Sequence, residues 1–409
     1  MEATHFTIPA EYRGKLEEVE VLDTRSDQDI LETLRHNVPI TSEKNVWAYW
    51  HSGVDNASNF AKQNICNWVR KLGSAWTVRI LDKVPDSPNH ALNWVPGEML
   101  PEAWTKDRFE GSWAGPHSSD CLRGALLYLY GGCYSDVGTL MFRHLDDMFW
   151  NQLEDPASPY EVVATVAFGQ IIANGFVGSR KGNMFIKLWH ELFTHLWRDG
   201  KTSVVGMIDD PLLAFSKHAP PPEPGQGPAW EWNIPMERLL EYLSQSCCWA
   251  RLCKLEAPIE GFNAAEFWMN NVLCLSYADE ALPFEQAVGY KDTGHKVDKL
   301  LSMKVDAPED VKASAEYKQA YELVWKTLSE YSIQKLGHGK DIIDDVQLLV
   351  VLRENPGREE EPGTFYHLLR HGIVHFRQTR SSTKPCAPER PAITVKRGLL
   401  EPPPAGEMI

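Results

Sequence analysis

The strongest constraint on this chain is a helix that has to stop, turn and deliver a carboxylate within a few residues. Leu122, Ala125, Leu126 and Leu129 recur at a helical period after Ser118-Ser119-Asp120, residue types that cap helices, and Gly131-Gly132 closes the run. Cys133-Tyr134-Ser135 then reads as a strand leading directly into Asp136. Glycine adopts backbone conformations that other residues avoid, so the pair permits a sharp return. Asp120 and Arg123, three apart, share one helix face. The unit gathers two acids and a guanidinium at the carboxyl edge of a sheet, where open α/β folds bind ligands.

The flanking sequence points to the same class. Val46-Trp47-Ala48-Tyr49-Trp50 is a β-prone run, Ala57 to Leu72 is helical, and Trp76 to Leu81 is a second strand, which together predict a parallel βαβ unit. Ahead of it, residues 1–45 form a lead-in with an amphipathic helix over 26–36. Residues 85–117, rich in Pro, Gly and Trp, predict an irregular lid or crossing segment. Further on come β-prone segments over 160–178, a helix over 183–197, a six-proline loop over 218–235 and a long amphipathic helix over 308–336. The chain thus divides into the lead-in, an α/β core over 46–300, a helical C-terminal region over 301–377 and a mobile Pro-rich basic tail over 378–409.

Composition narrows the function classes. At 409 residues with 43% hydrophobic side chains, the chain can bury a sizeable core. It has no apolar run of 18 residues and no basic-then-apolar leader, so a cytoplasmic protein without a membrane span is expected. Its eight cysteines form no Cys-x-x-Cys pair and read as reduced thiols. A net charge of −15 opposes broad nucleic-acid binding. The exception is 367–400, where seven Lys or Arg face Glu389 alone. This +6 stretch leaves about −21 for the remainder of the −15 total.

As an ordered ensemble, Trp47-x-Tyr49-Trp50-x-x-Gly53, Ser119-Asp120-x-x-Arg123 and Gly131-Gly132-x-Tyr134-x-Asp136 resemble the capsular-polysaccharide-synthesis proteins. They are similar too to the wider group of sugar-binding transferases that includes the toxin glucosyltransferases. The resemblance spans about residues 45–200. It implies a GT-A-type, Rossmann-like nucleotide-binding domain with helical C-terminal additions, using a nucleotide-sugar donor and a small acceptor. Carried over residue by residue, it puts Trp50 against the base, Asp120 at the ribose, Arg123 at the diphosphate or sugar, Asp136 at the donor and a Mn²⁺ or Mg²⁺ ion, and Asn174 near the donor.

The pattern departs from the family at one place: its Asp-x-Asp motif here ends in Gly138, and one carboxylate is a poor anchor for a divalent ion. Asp146, Asp147, Asp209 and Asp210 are candidate substitutes, although the first two also suit a helix cap and the last two a turn. The departure admits a second reading, an aminoacyl-tRNA-dependent cyclodipeptide synthase of the fungal arginine-containing type. The basic tail favours it; the −15 charge and the lack of an Asp-Asp-x-x-Glu motif oppose it. An inactive binding module is a third.

Two weaker signals stand apart. His367, His371 and His375 at spacing four would align on a helix, but they read better as surface or core histidines than as metal ligands. Cys247, Cys248 and Cys253 lie in an apolar stretch and read as buried thiols.

Overall fold

A computed structural model describes residues 6–218, 227–339 and 341–404. The centre is a six-stranded mixed sheet. Its strands are β1 (Asn45–Tyr49), β2 (Thr77–Leu81), β3 (Gly132–Ser135), β4 (Val162–Phe168), β5 (Ile171–Ser179) and β6 (Val272–Ser276), in spatial order β2-β1-β3-β5-β4-β6. The strands β2, β1 and β3 are parallel, β5 runs antiparallel between β3 and β4, and β6 is parallel to β4. The expected βαβ unit is the β1–β2 pair with the helix Asn59–Leu72 between them. This is the α/β class that the sequence implies.

Both faces of the sheet are covered, so successive residues of a strand enter different cores. Val46 and Ala48 of β1 pack in one core with Ile65, Trp68 and Leu72 of the helix Asn59–Leu72. Trp47 and Tyr49 enter the other, with Leu122, Ala125 and Leu126 of the helix Ala114–Tyr130 and Trp189 of the helix Met184–Leu196. The first core also takes in Ile8 and Leu16 from the lead-in and Leu323, Leu328 and Leu369 from the C-terminal helices. A two-stranded ribbon, Leu16–Glu18 against Phe376–Gln378, ties the two ends of the chain together.

The double glycine makes the return that its position predicts. Gly131 and Gly132 have φ of 72° and 100°, and a Cβ on Gly132 would lie 2.2 Å from the Asn45 carbonyl oxygen. Only glycine lets the chain leave the helix and settle directly beside β1. Two helix starts also match. Ser26 accepts from the Asp29 N–H at 3.2 Å to open Asp27–Leu34, and Asn183 accepts from Ile186 to open Met184–Leu196.

Other expectations are corrected. The helix expected to start at Ser118-Ser119-Asp120 begins at Ala114, so these three residues sit inside it, and Ser118 and Asp120 are buried. The long helix over 308–336 is instead a turn at Glu309–Lys312 and a helix Ala315–Glu330 that Ser314 caps, followed by a strand Ile333–Lys335. That strand pairs antiparallel with Thr139–Met141. Residues 85–113 form 3₁₀ turns and a short helix, Glu102–Thr105. Part of the six-proline loop, 219–226, lies outside the described residues.

The tail over 378–404 straps the body instead of hanging free. Arg380 pairs at 2.7 Å with Glu280, which is fully buried. Pro385 bridges Leu275, Val395 bridges Leu255, and Arg251 donates to the Leu399 and Glu401 carbonyls. A buried carboxylate needs a charged partner, and here the tail supplies it.

Candidate active site

Trp50, Asp120, Arg123, Asp136 and Asn174, the five residues singled out from the sequence, all line one cavity of about 1200 Å³. They arrive from different parts of the fold. Trp50 sits just past β1, where its N–H donates to Leu81 at 2.9 Å. Asp136 follows β3, with its N–H donating to the Gly175 carbonyl at 2.9 Å. Asp120 and Arg123 come from the helix Ala114–Tyr130, and Asn174 from β5.

Arg123 is the buried hub. Its Nη2 lies 2.6 Å from Asp120 Oδ1 and 3.7 Å from Asp136 Oδ1, its Nη1 donates to the Asn174 carbonyl, and Tyr134 underlies the guanidinium at 4.8 Å. Its Nε has no hydrogen-bond partner. Asp120 is engaged on both oxygens, since His117 Nδ1 lies 2.9 Å from Oδ2 and Asn174 Nδ2 donates to Oδ1 at 3.3 Å. Gln245 locks the arrangement by accepting from Asn174 Nδ2 at 2.8 Å and donating to the Asp120 carbonyl at 2.7 Å. Asp120 thus holds the guanidinium from within the helix, while the contacts of Arg123 with the Asn174 carbonyl and Asp136 join helix to sheet.

Sequence reasoning missed Lys335. Its Nζ lies 2.9 Å from Asp136 Oδ2, and it lines the same cavity. The strand Ile333–Lys335 was hidden inside a helical pattern, so nothing local marked Lys335 as a site residue. Gln245 left no local signal either, since it sits between Ser244 and Ser246. Burial opposes the charge on Asp136, but Lys335 and then Arg123 outweigh it and hold the carboxyl below its ordinary range. Burial likewise opposes the charge on Arg123, while Asp120 and then Asp136 hold its pKa above the ordinary value.

The residues around Asp136 do not fit a divalent cation. Such an ion takes several oxygen ligands, usually including carboxylates. Here Gly138 removes the second carboxylate, and each oxygen of Asp136 already faces a cation. Among the described residues, no group of three or more His, Cys, Asp or Glu is placed to hold a metal. The candidate substitutes stand outside the cavity wall. Asp146 accepts from Trp76 and pairs with Lys44, Asp147 pairs with Arg377, Asp209 with Lys217 and Asp210 with Arg198.

The remaining candidates fall elsewhere. His367, His371 and His375 lie on the helix Phe365–His375, beside a separate cavity of about 450 Å³ that also includes Arg25, Arg70 and Arg370. Cys247, Cys248 and Cys253 are buried thiols, and burial pushes Cys247 up to about 12, which suppresses its thiolate. No described helix is long and apolar enough to cross a membrane.

A guanidinium and an ammonium converge on one carboxylate, at the sheet edge and open to a large cavity. Comparison with known proteins gives the chain a family. The model of the capsular polysaccharide synthesis protein family matches residues 11–216. The chain is 41% identical over 397 residues, 97% of its length and 100% of the relative's, to a probable glycosyltransferase, FCK3, of Fusarium pseudograminearum (strain CS3096). It is 38% identical to the O-glycosyltransferase braB of Annulohypoxylon truncatum, over 90% of this chain and 88% of that one. It is also 38% identical to the glycosyltransferase afumC of Aspergillus fumigatus (strain CBS 144.89 / FGSC A1163 / CEA10), over 87% and 91%. The chain belongs to the capsular polysaccharide synthesis protein family, and it is a glycosyltransferase.

Proposed function

We propose that the protein transfers a sugar from a nucleoside-diphosphate donor to a hydroxyl of a small acceptor bound in the same cavity. The observation that carries this is the convergence of Arg123 and Lys335 on Asp136 at the cavity wall. A departing diphosphate accumulates negative charge, and fixed cations beside it lower the barrier to its release. Trp50, at the cavity edge, offers a face on which a base can stack. An acceptor hydroxyl accords with the name O-glycosyltransferase carried by a relative.

In this reading Asp136 orients the sugar and Lys335, Arg123 neutralises the diphosphate, and Asp120 and Gln245 hold Arg123 and Asn174 in place. The bond from the sugar C1 to the diphosphate oxygen breaks with its electron pair going to the diphosphate. The acceptor oxygen bonds to C1 and its proton passes to the released nucleoside diphosphate.

The aminoacyl-tRNA reading has less behind it. Its phosphate contacts were expected from the basic tail, but Arg370, Arg377 and Arg380 are taken up by Glu359, Asp147 and Glu280. The test is a thermal shift with UDP- and GDP-sugars. A ligand that binds only the folded state raises the melting temperature by mass action. A shift with one of these donors and none with aminoacyl-tRNA is expected, and the reverse would displace the proposal.

A further inference from the structure

Given a nucleoside-diphosphate donor, the reading on which this rests, we infer that Lys335 does the charge-neutralising work that a divalent cation performs in Asp-x-Asp transferases. The donor is then bound and cleaved without a metal.

Charge balance favours the exchange. Two carboxylates with a divalent cation sum to zero, and so do one carboxylate and one ammonium. Replacing the second Asp by Gly138 and the ion by Lys335 leaves the charge presented to the donor unchanged. Either change alone would shift it by at least one unit in a partly desolvated site, where such an imbalance is costly.

The geometry agrees. Lys335 Nζ is fixed 2.9 Å from Asp136 Oδ2. The backbone makes the placement specific. Lys335 pairs in register with Thr139, three residues beyond Asp136, and the Leu336 N–H donates to the Gly138 carbonyl at 2.8 Å. The segment bearing the substitute cation is thus hydrogen-bonded to the very residue that lacks the carboxylate. Gly175 completes the site, because a Cβ there would lie 2.7 Å from Nζ.

Crowding does not account for Gly138. A Cβ at that position would meet nothing nearer than Leu349 Cδ1 at 3.7 Å, so a side chain has room. The ammonium would donate to a diphosphate oxygen as the bond to C1 breaks and the electron pair moves onto the diphosphate. It is a charge-assisted hydrogen bond that strengthens as the leaving group charges up.

The test uses the full chain, stripped with EDTA, with UDP-glucose and GDP-mannose as probes read by calorimetry and by product formation. Binding and transfer by the wild type in EDTA are expected, with no gain from Mn²⁺. Lys335→Met should weaken binding by about ten- to a hundred-fold, the worth of a hydrogen bond to a charged group, while Lys335→Arg retains most of it. In a Gly138→Asp/Lys335→Met double variant, which restores the two carboxylates, binding should become dependent on Mn²⁺.

Wild-type binding that appears only with Mn²⁺ would overturn the inference and leave the donor assignment standing. That arm needs no variant to fold. Full binding by a folded Lys335→Met protein in EDTA would overturn it too. Absence of binding by either donor, with or without Mn²⁺, would instead remove the donor assignment on which the inference rests.

Discussion

Gly175 and Asp136 are in direct contact. The Asp136 N–H donates to the Gly175 carbonyl at 2.9 Å, and a Cβ on Gly175 would lie only 2.6 Å from Asp136 Oδ2. The missing side chain is the space in which the Asp136–Lys335 pair forms. Gly175→Ala should therefore displace the pair and leave the sheet intact. A displacement near 1 Å at a reacting centre costs roughly 100-fold in rate. Comparing kcat with the melting temperature checks this, and an unchanged kcat would show that the pair tolerates the methyl group.

Asp136 itself should be dispensable for folding and required for turnover. Its carboxylate faces the cavity, and amide substitution leaves buried Arg123 paired with Asp120 and Lys335 open to the cavity. Asp136→Asn should reduce transfer by about two orders of magnitude, the range for losing one charge-stabilising group. Normal product formation by the purified variant would refute its assignment to the donor site.

Arg380 predicts a stability effect remote from the chemistry. It holds both oxygens of buried Glu280, with Ser332 donating as well at 2.6 Å. Arg380→Met strands that carboxylate and should cost about 3–5 kcal/mol. Adding Glu280→Gln should recover part of the loss, because the charge then disappears. Urea titrations of the two variants measure both effects, and equal stability of Arg380→Met and the wild type would mean that the strap is ornamental.

Lys71 gives a pH dependence with a definite sign. It is buried, donates to the Ile373 carbonyl at 2.7 Å, and burial pulls its pKa down to about 7 from 10.5. Between those values the unfolded chain holds a proton that the folded chain has released. Stability thus rises with pH across that window, by at most about 1.4 kcal/mol per unit, and the full penalty applies below it. Relative to Lys71→Met, the wild type should gain stability from pH 7 to pH 10. A constant difference would mean that Lys71 stays charged in the fold.

Much of the site was legible because its residues are local to one unit of chain. Asp120, Arg123, Gly131, Gly132 and Asp136 lie within a single helix, return and strand, and helical period, glycine freedom and strand length fix where that unit delivers its side chains. The same local physics marked β1, the helix Asn59–Leu72 and the helix that follows Asn183. What the sequence alone could not determine was every contact between distant segments. Lys335 meets Asp136 only because the Ile333–Lys335 strand pairs with Thr139–Met141, and its amphipathic setting reads equally well as helix. Arg380 and Arg370 look like free positive charge until burial sets them against Glu280 and Glu359. Periodicity and propensity act over a few residues, whereas ion pairing and desolvation depend on which segments the fold brings within a few ångströms. Tertiary structure therefore decided which charges face the cavity and which hold the protein together.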